Sequence, residues 1–250
     1  LVSASTETLS PPRPSAARPE LAQRKAASSG LVARLPAQPI APPTPLETFA
    51  QRDRAVRDQM LESMGGSRET EDAVERALRW MASRQRPDGS WSARENEGKI
   101  DADAAMTGLA LLSYLGAGHT HDREGAHRAT VERALQWLIE RQQDDGDLRH
   151  AAEGAGVASD TMYGQTLATV ALCEAYAMTR DPVLADPARR AVSFVLARAA
   201  DARRGTARPE DTSVLGWLVM TIESARRAGF APPDDVFRSA RAFLEERALG

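Results

Sequence analysis

One stretch of this chain occurs twice. Val74-Glu-Arg-Ala-Leu-Arg-Trp-Met-Ala-Ser-Arg-Gln-Arg-Pro-Asp-Gly-Ser-Trp91 returns 57 residues later as Val131-Glu-Arg-Ala-Leu-Gln-Trp-Leu-Ile-Glu-Arg-Gln-Gln-Asp-Asp-Gly-Asp-Leu148, with ten of eighteen positions identical. A period of this length implies stacked supersecondary units, each unable to bury its apolar face alone. The register continues past the stretch: Asp103 aligns with Asp160, and the apolar run Met106 to Leu115 aligns with Tyr163 to Leu172. One unit therefore reads as an outer helix, a Gln-x-x-Asp-Gly turn, an inner helix and a longer connection.

The two helices of a unit differ in polarity. The first outer helix places Val74, Ala77, Leu78 and Met81 at the spacing of one apolar stripe, with Arg76 and Arg79 between them and Arg84 after them. The inner helix, Ala104 to Leu115, is apolar nearly all round, as a helix packed on both sides must be. A worn third copy follows: Arg190 to Val195 matches Arg76 to Met81, with Phe194 in place of Trp80 and Ala199 where Gln85 and Gln142 stood. Its inner helix is expected to open at Asp211 and to run through Gly216 to Met220. Phe243 to Arg247 echoes Trp137 to Arg141 as a fourth outer helix.

Helix starts carry the expected polar residues. Asp186-Pro187 offers a side-chain acceptor and then a ring with a preset φ, the pattern of a cap and a first helical residue. The carboxylates after Thr70 suit the positive end of a helix. Asp103, Asp160 and Asp211 recur once per inner helix, which favours a capping role for each. No segment alternates β-branched residues over a strand length, so an all-α chain is expected.

Residues 1–45 are different material, holding nine of the fifteen prolines amid Ala, Ser and Arg. Such a segment lacks the apolar surface to offset its ordering entropy and reads as a disordered stem. Residues 46–66 read as a short amphipathic helix (Leu46, Phe49, Val56, Met60, Met64) closed by Gly65 and Gly66, and 67–250 as the repeat domain, cut short at its C-terminus. With only Lys25 and Lys99 among 32 basic residues, the composition fits a GC-rich bacterial genome. The stem suits tethering to a cell envelope through an anchor upstream. The formal charge of −3 and the lack of a clustered basic face argue against nucleic acid as a partner. No run of about 20 apolar residues is present, so no membrane span is expected.

The segment Arg84 to Trp91 after an amphipathic helix resembles the glutamine–tryptophan repeat of squalene–hopene cyclases, within the terpenoid cyclase and protein prenyltransferase superfamily. The resemblance covers roughly residues 66–248 and is tightest in the first two units. It implies an α/α toroid, inner helices forming a barrel and outer helices wrapping it. It also implies structural roles for Gln85, Asp88, Gly89 and Trp91 and for Gln142, Asp145 and Gly146, with the glutamine tying the end of the outer helix to the next turn. Leu148 stands where a second tryptophan is expected. A closed ring needs more helices than the seven read here, so the chain is either a fragment or an open arc able to self-associate through its end.

The same resemblance nominates a catalytic acid. Squalene–hopene cyclases protonate their substrate from an Asp-x-Asp-Asp motif opening an inner helix, which would make Asp103 the acid and Asp101 its partner. Ala104 replaces the third aspartate, so the capping reading is preferred. Aromatic residues are 5% of the chain. Tyr114, Tyr163, Tyr176 and Trp217 fall on inner helices as candidate pocket-lining residues, against the alternative of core packing. Cys173 lies in an apolar helix without a histidine beside it and reads as a small buried hydrophobe. His119 and His121 could chelate from an extended loop, with His127 nearby, but no further ligand pair follows at standard spacing, so neither metal nor cofactor is expected. The functional expectation is a non-catalytic binding or scaffold module whose concave inner face meets an apolar ligand or a protein partner; the alternative is a divergent terpenoid cyclase-like isomerase acting on a polyprenoid.

Overall fold

The computed structural model describes residues 49–61, 63, 65–98, 101–149, 162–203, 212–232 and 238. Its elements are helices throughout, with no strand among the described residues. After a 3-10 turn at Ala50–Arg52 come α1 (Arg54–Met60), α2 (Arg68–Ser83), α3 (Asp103–Gly116), α4 (Arg128–Arg141), α5 (Met162–Thr179), α6 (Pro182–Arg203) and α7 (Thr212–Arg227). A second 3-10 turn, Arg94–Asn96, lies between α2 and α3. Of the sequence expectations, the stem (1–45), Leu46, Met64, Asp160, Asp211 and the fourth outer helix at Phe243 lie outside the described residues.

The helices form the two layers that the repeat demands. The inner row is α3, α5 and α7, with α5 packed between the other two. Outside it, α2 and α4 lie against α3, and α6 lies against α5 and α7. Fourteen of the eighteen residues of α5 are buried, which makes it the central helix. Gly108 allows α3 to approach it: a Cβ there would lie 2.9 Å from the Ala168 backbone nitrogen. Leu111, Leu115, Leu138, Leu167 and Leu172 are all fully buried. Each such side chain contributes about 1.5–3 kcal/mol of hydrophobic stabilisation.

Local signals explain most boundaries. Ser67 caps α2 through a reciprocal box: its hydroxyl accepts the Thr70 N–H at 3.3 Å, and Thr70 Oγ1 accepts the Ser67 N–H at 2.9 Å. Helix α6 starts earlier than expected. Asp181 Oδ1 accepts the Val183 N–H at 2.9 Å and Pro182 is the first helical residue, so Pro187 falls inside the helix. The sequence holds Asp-Pro twice, at 181–182 and 186–187, and the earlier pair takes the cap. The N-terminal amphipathic segment is likewise broken, because Asp53 is extended (φ −63°, ψ 132°) between the 3-10 turn and α1.

That segment crosses the ends of the inner helices. Arg52 Nη1 reaches Glu174 Oε2 at 2.6 Å, and Arg57 Nη1 donates to the Ala117 carbonyl at 2.6 Å. Gly118, at φ +84°, leaves no room for a Cβ beside the Arg52 carbonyl.

Outer helices α2 and α4 share a sequence but not an environment. Val131 and Trp137 are buried, whereas their counterparts Val74 and Trp80 are 44% and 58% exposed. The inward stripe of α2 instead runs Glu71, Glu75, Leu78 and Ala82; only Leu78 is fully buried, the other three are partly covered, and the carboxylates lie at the N-terminal end. Trp137 is covered by the turn of the preceding unit; Trp80 belongs to the first unit, and no described turn precedes it.

Candidate functional site

The repeat turn is built twice on one plan. In the first unit the Asp88 carboxylate accepts the Ser90 N–H at 3.0 Å, and Gly89 N–H bonds to Arg86 O at 2.9 Å. In the second, Asp145 accepts the Asp147 N–H at 3.0 Å, and Gly146 N–H bonds to Gln143 O at 2.9 Å. Gly89 and Gly146 both sit at φ +96°. A Cβ at either would overlap the carbonyl of the next outer helix, at Arg133 and Arg190 respectively. These aspartates and glycines share a purpose: to bring a sharp turn against the following outer helix.

The glutamines complete the tie. Gln85 Nε2 donates to Gly89 O and to Thr130 O, each at 2.9 Å. Gln142 Nε2 donates to Pro187 O at 2.9 Å. Thr130 and Pro187 lie at equivalent places in successive repeats, so each glutamine links its own unit to the next outer helix. Trp91 donates its indole N–H to Met81 O at 2.8 Å. Leu148, in its place, is buried and donates its backbone N–H to Gln165 Oε1 at 2.7 Å. The inner-helix partners of these turns, Thr107 and Gln165, escaped the sequence reading. Trp91 N–H bonds to Thr107 Oγ1 at 3.1 Å, and Gln165 also donates to Gly146 O at 3.1 Å. A buried polar residue on an otherwise apolar inner helix is the signal that would have found them.

Asp88 does further work. Trp137 donates its indole N–H to Asp88 Oδ2 at 3.1 Å, and Arg141 lies over the Trp137 ring with its carbon 4.9 Å from the centroid. Partial burial opposes ionisation of Asp88, but the Ser90 N–H and hydroxyl, then Trp137 and Arg141, hold its carboxyl below the usual aspartate value.

The proposed acid pair is held by arginines. Asp103 is the first residue of α3 and not its cap; the cap is Ala102, which makes no side-chain capping bond. Asp103 Oδ2 instead accepts from Arg86 Nη1 at 2.7 Å, and Asp101 pairs with Arg94. Arg86 also binds Glu95 at 2.7 Å, so the entrance to α3 is a small ion-pair network. The sequence showed the carboxylates but not the arginines that reach them across the loop. The side-chain cap expected of Asp103 is therefore replaced by an ion pair.

The four inner-helix aromatics do not converge. Tyr114 is fully buried, its hydroxyl donating to Leu78 O at 2.8 Å. Burial, with Glu75 nearby, pushes its phenol up to about 12. Tyr176 stacks on Phe230 at 5.6 Å. Tyr163 and Trp217 do meet, edge to face, with centroids 5.8 Å apart. They pack with Ala102, Ala105, Leu112 and Leu167, so α3, α5 and α7 all contribute to one apolar patch. Leu109 is on the same stripe of α3 and is 38% exposed. Cys173 is fully buried, and that burial raises its thiol well above the ordinary value, with Glu174 adding to the effect. His121 is turned away from His119, its Nε2 lying 2.9 Å from Asp181 Oδ2.

No described helix is long and apolar enough to cross a membrane. No curated protein and no solved structure matches the chain. The squalene-hopene cyclase C-terminal domain family matches residues 54–198, more than half of the 250. That span begins with α1 and covers both clear copies of the repeat and most of the outer helix of the third. With inner and outer helix layers built on that repeat, the chain belongs to the squalene-hopene cyclase C-terminal domain family.

Proposed function

We propose that this domain is a binding module, not a catalyst, and that it takes an apolar, polyprenoid-like ligand along the face of its inner helices. The Tyr163–Trp217 pair carries the reading: two rings from different inner helices, each half-buried, meet at 5.8 Å over an apolar floor. Edge-to-face rings leave π surface for a hydrocarbon or an unsaturated chain. Leu109 and Met220, 38% and 48% exposed, extend the apolar surface along α3 and α7. Family membership supports a hydrocarbon of the squalene type as the ligand class, since the family is named for a cyclase of that substrate.

The polar groups favour binding over turnover. A cyclase needs a carboxylic acid aimed at the substrate with its proton free to leave. Here Asp103 Oδ2 is engaged by Arg86 and Asp101 by Arg94. Fold membership alone does not confer activity.

The test is equilibrium binding of squalene, presented in detergent micelles, followed by product analysis. Saturable binding that Trp217→Ala weakens, with squalene recovered unchanged, is the expected result. A cyclised product would overturn the non-catalytic reading, and binding unaffected by Trp217→Ala would overturn the placement of the ligand.

A further inference from the structure

At the loop end of the helices, away from the inner-face patch, three side chains with metal-ligating atoms converge. Glu75 comes from α2, His119 from the connection after α3, and His127 from the residue that precedes α4. Their ligand atoms all lie within 4.8 Å of one another. Each carboxylate oxygen of Glu75 addresses one imidazole: Oε1 is 2.9 Å from His127 Nε2, and Oε2 is 3.6 Å from His119 Nε2. The two rings meet nearly perpendicular, at 76°, with centroids 4.7 Å apart. From these groups we infer a binding site for a divalent transition ion of the zinc class, ligated by Glu75, His119 and His127.

Donor chemistry selects the ion. Two imidazoles and one carboxylate suit borderline metals such as zinc, whereas magnesium and calcium prefer oxygen ligands throughout. Geometry agrees. Zinc bonds of about 2.0–2.1 Å at tetrahedral angles separate the ligand atoms by roughly 3.3 Å. The three ligand atoms lie within 4.8 Å of one another, and each histidine Nε2 is 2.9 or 3.6 Å from a different oxygen of Glu75, so small side-chain shifts would close all three on one ion. Three protein ligands leave a fourth position for water or an oxygen donor.

The surroundings supply rigidity and access. His127 is 2% exposed, and the Tyr114 ring packs 5.1 Å from it, so the ligand of α4 is held from behind. The α3 end is held as well, by the His119 N–H bond to Tyr114 O at 2.9 Å. Glu75 and His119 open on a cleft of about 420 Å³ between α1, α2 and the loop. Six carboxylates line that cleft against three arginines. The arginines each pair with one of those carboxylates: Arg57 with Glu71, Arg123 with Asp53 and Arg128 with Glu124. The remaining negative charge draws a cation in. Sequence spacing hid the site, because the adjacent pair His119 and His121 diverges while Glu75 and His127 come together across 52 residues.

The full chain, stripped of metal with a chelator and dialysed, would be titrated with Zn²⁺ by calorimetry. One equivalent should bind with micromolar or tighter affinity. Glu75→Gln and His119→Ala should each weaken it by at least about ten-fold, the loss typical of disturbing even the outer partners of a metal site. His121→Ala, whose ring faces Asp181, should leave it unchanged. Co²⁺ in place of Zn²⁺ should give the visible absorption of a four-coordinate ion. Absence of saturable Zn²⁺ binding would overturn the proposal, as would equal affinities in His119→Ala and His121→Ala variants that retain native helix content. In that case the cluster is a hydrogen-bonded carboxylate–imidazole contact and nothing more.

Discussion

Gln142 donates its side-chain amide to the carbonyl of Pro187, 2.9 Å away in a buried setting. Gln85 makes the same bond to Thr130 one repeat earlier, at the same distance. The other half of the amide differs. Gln85 Oε1 accepts from Arg133 at 2.5 Å. Gln142 Oε1 is buried without a hydrogen-bond partner, although Arg190 stands in the place of Arg133. The first tie is thus reinforced by a cation, and the second relies on its single donor.

That difference predicts unequal responses to one substitution. Gln85→Glu keeps an acceptor for Arg133 and converts the contact to an ion pair, which offsets part of the lost amide donor. Gln142→Glu places a carboxylate against the Pro187 carbonyl, with no donor bonded to it. Leaving a buried acceptor unmatched costs about 1–3 kcal/mol, and more when the new group is charged. Urea unfolding should show Gln142→Glu to be the more destabilised of the two. Equal midpoints would mean that Arg190 swings in to pair with the new carboxylate.

Gly89→Ala and Gly146→Ala should both be destabilising, and by similar amounts. Each glycine is at φ +96°, and each added Cβ meets the carbonyl of the next outer helix. Backbone strain of this kind costs about 1–3 kcal/mol before the steric contact is counted. Gly116→Ala, where a Cβ meets open space and the backbone is helical, is the control and should be neutral or slightly stabilising. Thermal unfolding of the three variants checks this.

What the sequence disclosed, and what it hid, follows from the range of each interaction. Helix periodicity, the Asp-Gly turn and the glutamine tie are local and repeated, so Gln85, Gly89, Gln142 and Gly146 were legible with a plausible purpose. The partners were not. Arg86 reaches Asp103 across 17 residues, and Trp137 reaches Asp88 across 49. Periodicity assigns faces to helices but does not say which loop covers them, which is why Val74 and Ala77 read as part of the apolar stripe and stand exposed. The aromatics failed for a related reason: Tyr114, Tyr163, Tyr176 and Trp217 all lie on inner helices, yet only helix rotation and depth decide that Tyr163 and Trp217 share a patch while Tyr114 is sealed beneath α2.

Acid should weaken the junction between the first two units through Asp88. Its carboxyl is held below the ordinary aspartate value in the folded chain. The unfolded state therefore takes up the proton first as pH falls. The contribution is fully present above the unfolded pKa of about 3.9 and is lost as pH drops through the lower folded value. Asp88→Asn should unfold more easily than the parent at pH 6, and the gap should narrow below about pH 4. A constant gap from pH 6 to pH 2 would assign the Asp88 effect to hydrogen-bond geometry and not to charge.

Cys173 should be inert in the native protein. It is fully buried in α5, and burial together with Glu174 disfavours the thiolate that reacts. Iodoacetamide at pH 8 should leave the native mass unchanged and add one adduct in guanidinium chloride. Fast native labelling would mean that α5 opens locally, which its central position does not allow for.

Asp103→Asn separates the two functional readings. If the domain only binds, the substitution removes an ion pair with Arg86 whose side chains are 28% and 27% exposed. Such a pair contributes up to about 1 kcal/mol, with a small further loss from removing a negative charge at the start of α3. The melting temperature should fall slightly, and squalene binding should persist at the parent affinity because the Tyr163–Trp217 patch is untouched. If Asp103 is a general acid, the parent converts squalene to a cyclised product and the variant does not, at unchanged affinity. Product analysis beside a binding isotherm for the same two proteins therefore decides between a carboxylate that closes the entrance to α3 and one that delivers a proton.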